Sequence, residues 1–102
     1  MAIKYIVEFK IERMFSPDDE ITLRKVRYLI DEVIPDDDYG DNLRKYAVEN
    51  LIKKRDFTKK TDCLCVYAKF WDIDDDPDDP LADPVSEIHA YIYREDLNQN
   101  PG

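Results

Sequence analysis

The sequence predicts an α+β fold in β-α-α-β-β order: a three-stranded antiparallel sheet with two helices packed on one face, and a long acidic hairpin loop between the last two strands. Three observations predict it. Near the start, apolar and polar residues alternate with a period of two, as on a half-buried strand. From Ser16 to about Arg55 the apolar residues recur every three or four positions, as on helices. Two further alternating runs then flank Asp72 to Pro84, where seven aspartates and three prolines fall in thirteen residues. Such a stretch repels itself and cannot build a core, so it reads as a loop.

The first strand rests on Ile3, Tyr5, Val7, Phe9 and Ile11, which alternate with Lys4, Ile6, Glu8, Lys10 and Glu12. Ser16-Pro17-Asp18-Asp19-Glu20 then has the chemistry of a helix start. Ser16 suits the N-cap, Pro17 the first helical position, and the acids the positive helix end. Leu23, Val26, Leu29, Ile30, Val33 and Ile34 form the stripe of that helix, which Pro35 ends. Ile21 and Tyr28 fall on its far side, beside Arg24 and Lys25.

Asp36 to Asn42 is a polar connection. A second helix is expected from Asp38–Asp41 to about Arg55, burying Leu43, Tyr46, Ala47 and Leu51, with Val48 and Ile52 at the margin. The second strand, Asp62 to Ile73, points Leu64, Val66, Ala68 and Phe70 one way and Cys63, Cys65, Tyr67, Lys69 and Trp71 the other. The third, Val85 to Glu95, sets Ile88, Ala90 and Ile92 against Val85, Glu87, His89, Tyr91 and Tyr93. Pairing Lys69 with Glu87 fixes the hairpin register, with Tyr67 by His89, Cys65 by Tyr91 and Trp71 by Val85. Residues 96–102 read as a flexible tail. The whole chain, 1–102, reads as one domain.

The 102 residues carry a net charge of −9, which argues against direct nucleic-acid binding and against an anionic membrane surface. The charge is uneven. Arg44, Lys45, Lys53, Lys54, Arg55, Lys59 and Lys60 lie in one stretch, so the molecule reads as polar, with a basic knob and an acidic loop. Cys63 and Cys65, two apart on one strand, cannot readily meet disulfide geometry, and free thiols fit a cytoplasmic protein. No apolar run approaches a membrane span.

Catalytic machinery is not legible, so no catalytic residue and no cofactor is assigned. His89 is the lone histidine, and with Gly40 and Gly102 the only glycines there is no phosphate-cradling loop or nucleophile elbow. Zinc on Cys63, Cys65 and His89 lacks a fourth ligand. Calcium fits better in composition: Asp72, Asp74, Asp76, Asp78 and Asp83 fall at positions 1, 3, 5, 7 and 12 of an EF-hand-like spacing. Against it, Pro77 occupies the turn position that needs glycine, and Asp83 replaces the usual bidentate glutamate.

Two surfaces are left as candidate sites. The open sheet face would present Tyr67, Trp71, His89, Tyr91 and Tyr93, an aromatic patch suited to an interface such as a homodimer. The acidic loop, with Asp72, Asp74, Asp75, Asp76, Asp78, Asp79 and Asp83, would meet a basic protein partner. If extended, it spaces alternate carboxylates by about 6.6 Å, like successive phosphates. The leading expectation is therefore a non-enzymatic acidic binding protein, an inhibitor that mimics nucleic acid. Small immunity proteins, antitoxins and viral antagonists share its size and charge. A homo-oligomerising module and a calcium-dependent binder are the alternatives.

Overall fold

The computed structural model describes residues 2–16 and 19–98. Four strands and two helices run in the order β1 (Tyr5–Ser16), β2 (Asp19–Ile30), α1 (Asp41–Asn50), β3 (Cys63–Asp72), β4 (Ser86–Tyr93) and α2 (Arg94–Asn98). The strands form one sheet in the order β2-β1-β3-β4, each antiparallel to its neighbour. The class is α+β, but the three-stranded β-α-α-β-β arrangement expected from sequence is wrong. The segment expected as the first helix is a twelve-residue strand.

The reason lies in β2 itself. Ile21, Thr22, Val26 and Ile30 are β-branched and Tyr28 is aromatic, side chains that suit a pleated surface better than a helix. The strand's alternation is masked because the β1–β2 register shifts between Ile11 and Glu12, leaving Leu23 out of the pairing. Past that bulge, Arg24, Val26, Tyr28 and Ile30 share the core-side face, and Lys25, Arg27 and Leu29 share the other. Arg24 on the core side broke the expected pattern. Its guanidinium donates to the Leu51 carbonyl and to the Asp56 carboxylate at 3.1–3.2 Å. Ser16 ends β1 instead of capping a helix, and the expected helix position of Pro17 lies outside the described residues.

The core lies on one face. Val7, Phe9 and Ile11 of β1, Leu64, Val66, Ala68 and Phe70 of β3, and Ile88, Ala90 and Ile92 of β4 are all buried there. α1 covers β3 and β4 with Leu43 and Ala47, and the loop after it adds Leu51, Ile52 and Phe57. Tyr46 stacks on Phe9 at 5.2 Å between ring centroids, and Tyr28 flanks the same ring. α1 ends at Asn50, earlier than expected, and a 3-10 turn follows at Lys54–Asp56. The short helix α2 takes the end of the expected third strand and the first residues of the expected tail; its Leu97 packs on the core and its Asp96 accepts from the Tyr93 amide at 2.7 Å, while 99–102 lie outside the described residues. No helix among the described residues is long and apolar enough to cross a membrane.

The topology sorts the connections into two ends. The β2–α1 segment and the β3–β4 loop leave the end where Tyr5 meets Ile30 and Asp72. The α1–β3 segment, carrying Lys53, Lys54, Arg55, Lys59 and Lys60, joins β3 at the other end, where Cys63 meets Met14. There Arg13 donates to the Asp56 carbonyl, and the Asp62 carboxylate accepts from the Thr58 hydroxyl and from the amides of Thr58 and Lys59. These bonds, the Thr58 hydroxyl's first, hold the Asp62 carboxyl below its ordinary pKa.

Gly40 is where α1 is set against the sheet. Its φ is +68°, and a Cβ added there would stand 2.6 Å from the His89 carbonyl oxygen. Asp37 completes the entry to α1. Its carboxylate accepts from the amides of Asp41, Asn42 and Tyr39 at 2.6–3.3 Å. Partial burial opposes ionisation of Asp37, but these bonds outweigh it and lower the pKa. Gly40→Ala is expected to cost about 2 kcal/mol or more, from left-handed strain plus the clash. Urea unfolding checks this, and an unchanged midpoint would contradict the docking of α1.

Candidate functional site

The open face of the sheet is built from five cross-strand rows. Leu29, Ile6 and Trp71 form the first. The second crosses all four strands with alternating charge: Arg27, Glu8, Lys69 and Glu87. The third is Lys25, Lys10, Tyr67 and His89. The fourth is Thr22, Glu12, Cys65 and Tyr91, and the last includes Met14, Cys63 and Tyr93. The Lys69–Glu87, Tyr67–His89 and Cys65–Tyr91 pairs are those the sequence implied.

The aromatic patch on this face is smaller than expected. Trp71 is only 5% exposed, and Cys65 is fully buried. Tyr67 is half-buried under the Lys10 ammonium, 5.8 Å from its ring centroid. His89, Tyr91 and Tyr93 remain exposed along β4. Tyr67, His89 and Tyr91 remain in ring contact at 5.8–6.1 Å between centroids, and charged pairs flank them: Lys10 pairs with the buried Glu12 at 2.6 Å, and Lys69 stands 3.6 Å from Glu87. The correction of β2 from helix to strand causes much of this, since it brings Lys25 and Arg27 onto the face.

The acidic loop has a different form from the one expected. It is a string of turns, closed by amide-to-carbonyl bonds from Asp75 to Asp72, Asp79 to Asp76 and Ala82 to Asp79. Asp76 and Asp79 accept from the amides of Asp78 and Leu81 at 2.9 Å. The even spacing of carboxylates along an extended strand therefore does not exist. The loop also bends back over the sheet. Asp78 accepts both guanidinium nitrogens of Arg27, at 2.5 and 3.1 Å, while the Arg27 Nε donates to Glu8 at 2.7 Å. To reach β2 the loop crosses β1, and Pro77 comes to rest beside Ile6 and Leu29 in a shallow recess. Trp71 lies in the same cross-strand row and is itself buried, whereas Leu29 at the other end of the row stays exposed.

Asp72, Asp74, Asp75, Asp76, Asp79 and Asp83 stay exposed. Residues 31–41 hold Asp31, Glu32, Asp36, Asp37, Asp38 and Asp41, and no base. This segment leaves β2 at the same end of the sheet as the loop and then runs beside Glu87–Tyr91 on the outer edge of β4, with Glu32, Asp36, Asp38 and Asp41 exposed. Arg44 is drawn off by Asp41 and by the Tyr91 carbonyl on the outer edge of β4.

The carboxylates at the calcium spacing do not converge. Among the described residues, no three histidine, cysteine, aspartate or glutamate side chains are grouped so as to hold a metal ion, including Cys63, Cys65 and His89. Neither cysteine is in a disulfide. Burial pushes the Cys63 thiol up, a shift the Tyr93 hydroxyl only partly offsets. That direction opposes a role as thiolate nucleophile. Comparison with known protein families, curated proteins and solved structures finds no match for this chain.

The strap over Trp71 has a pH signature. The Arg27 hydrogen bonds and charge hold the Asp78 carboxyl below its ordinary pKa, while Asp78 raises that of Arg27. A carboxyl lowered on folding contributes fully above its unfolded pKa, about 3.9, and loses that contribution as pH falls through the lowered value. Emission from Trp71, the chain's one tryptophan, is expected to red-shift in Asp78→Asn at neutral pH and in the native chain only on acidification. Identical spectra for the two proteins at neutral pH would show that Asp78 does not hold the cover in place.

Proposed function

We propose that this protein is a non-enzymatic acidic binding module that engages a basic surface of a partner protein. The contact is made by the two acidic segments 31–41 and 72–83, which leave the same end of the sheet. The observation that carries the reading is their composition: thirteen of the 24 acidic residues lie in these two segments, which contain no base.

The basic segment at the opposite end does not neutralise them. The ten residues of β3 separate the root of the acidic loop from that of the basic segment by about 30 Å, several times the roughly 8 Å Debye length at physiological salt. The loop's carboxylates are therefore not neutralised by the basic segment, and at short range their charge speeds and selects a cationic partner. Recognition rests on carboxylate density at the two segments, not on a phosphate-like period along one strand. A basic groove that handles nucleic acid is the partner chemistry that such a surface would occupy and block. The two thiols outside any disulfide fit a cytoplasmic setting.

Six exposed aspartates test this without touching the strap or the helix entry: Asp36, Asp38, Asp72, Asp74, Asp75 and Asp83. Changing all six to Asn is expected to leave the thermal melt near that of the native chain. Capture of a basic partner from host lysate should be lost, and the association rate of the captured protein should fall at least about tenfold at low salt. Undiminished capture by the sixfold variant would overturn the reading.

A further inference from the structure

We propose that the open sheet face binds a nucleotide: a planar ring stacked on Tyr67 and His89, with its phosphate held by Lys10, Lys25 and Lys69. This site is separate from the acidic end and does not depend on its role.

A shallow groove of about 660 Å³ runs across this face, within the usual range for small-molecule sites. Its floor is the third row, Lys25, Lys10, Tyr67 and His89. Lys25 and Lys10 stand directly opposite each other on β2 and β1, an arrangement that like charges disfavour. Each leans away toward a glutamate. Lys10 reaches Glu12 at 2.6 Å, whereas Lys25 lies only loosely by Glu8 at 3.7 Å. Glu8 already accepts a 2.7 Å bond from Arg27, so Lys25 is the weaker of its two partners. Lys69, on β3, is equally loose, 3.6 Å from Glu87. Two ammonium groups are thus free to turn toward an anion placed above Lys10, which relieves the Lys10–Lys25 repulsion. Lysines act on phosphate as such movable point charges.

The other half of the groove is aromatic. The Tyr67 and His89 rings lie 6.1 Å apart, inclined by 34°, and side by side on adjacent strands they make a platform for one planar ring. Aromatic side chains on an open sheet are a general base-stacking surface. The Lys10 ammonium lies over the Tyr67 ring, 5.8 Å from its centroid, so a planar ring stacks there only as Lys10 swings aside toward the ligand's phosphate. Glu87, next in line to His89 on β4, offers an acceptor to a ring amino group. The sequence analysis set direct nucleic-acid binding aside on the net charge of −9, with Lys25 placed on a helix away from this face. With β2 in the sheet, the lysines of three adjacent strands face one groove.

Titration calorimetry on the full chain tests the site, with adenosine monophosphate, adenosine, inorganic phosphate and a short oligoadenylate as probes. The nucleotide is expected to bind at least about tenfold more tightly than adenosine or phosphate alone. Lys25→Gln and His89→Ala alter exposed side chains and should keep the native circular dichroism melt while weakening nucleotide binding about tenfold. Equal affinity for phosphate and nucleotide, undiminished binding in both variants, or no binding at millimolar nucleotide would each overturn the proposal. Preference for the oligoadenylate would overturn the single-nucleotide assignment in favour of a strand-binding face.

Discussion

Arg27 holds together three parts of the chain that are distant in sequence. Its guanidinium spans Glu8 on β1 and Asp78 in the acidic loop, and Glu8 faces Lys69 across to β3. The Arg27–Asp78 link is an exposed ion pair, and such pairs add little net stability, whereas the Glu8 carboxylate is largely buried beneath Arg27. Their role is to set position. They place the edge strand's charges on the open face, and they draw the loop across β1 so that Trp71 is covered. The stability that makes this arrangement possible comes from the other side of the sheet, where the buried apolar side chains of β1, β3, β4 and α1 leave water.

The two faces therefore divide the work. The core face is continuous and aliphatic under β1, β3 and β4, and it thins toward β2, where Tyr28 stays half exposed. The open face is patterned by charge, with glutamates and lysines alternating from strand to strand and aromatic rings confined to β3 and β4. An edge strand twelve residues long is an invitation to further strand pairing. β2 carries a bulge at Leu23 and the run Arg24, Lys25 and Arg27 at its centre, and both features discourage that pairing.

Much of this was legible in the residues. The alternation of Val7, Phe9 and Ile11 located β1 and its buried side, and one charge pair, Lys69 with Glu87, set the register of β3 and β4. Leu43, Ala47 and Leu51 marked the buried stripe of α1. β2 was not legible because two local events hid it. The bulge interrupted its period of two, and Arg24, satisfied by the Leu51 carbonyl and Asp56, sat where an apolar residue was expected. With β2 misassigned, neither the strap to Arg27 nor the lysine groove could be foreseen. The second acidic segment was visible as composition, but its departure from the same end of the sheet as the loop follows from the sheet order alone.

The central claim is that residues 19–30 form an edge strand that brings Lys25 and Arg27 beside β1. Nuclear Overhauser contacts between backbone protons test it most directly. The account requires extended-strand chemical shifts for 19–30 and cross-strand contacts linking Arg27 to Glu8 and Lys25 to Lys10, with Lys10 also linked to Tyr67. Helical shifts over 19–30, with sequential amide contacts and none to β1, would contradict it.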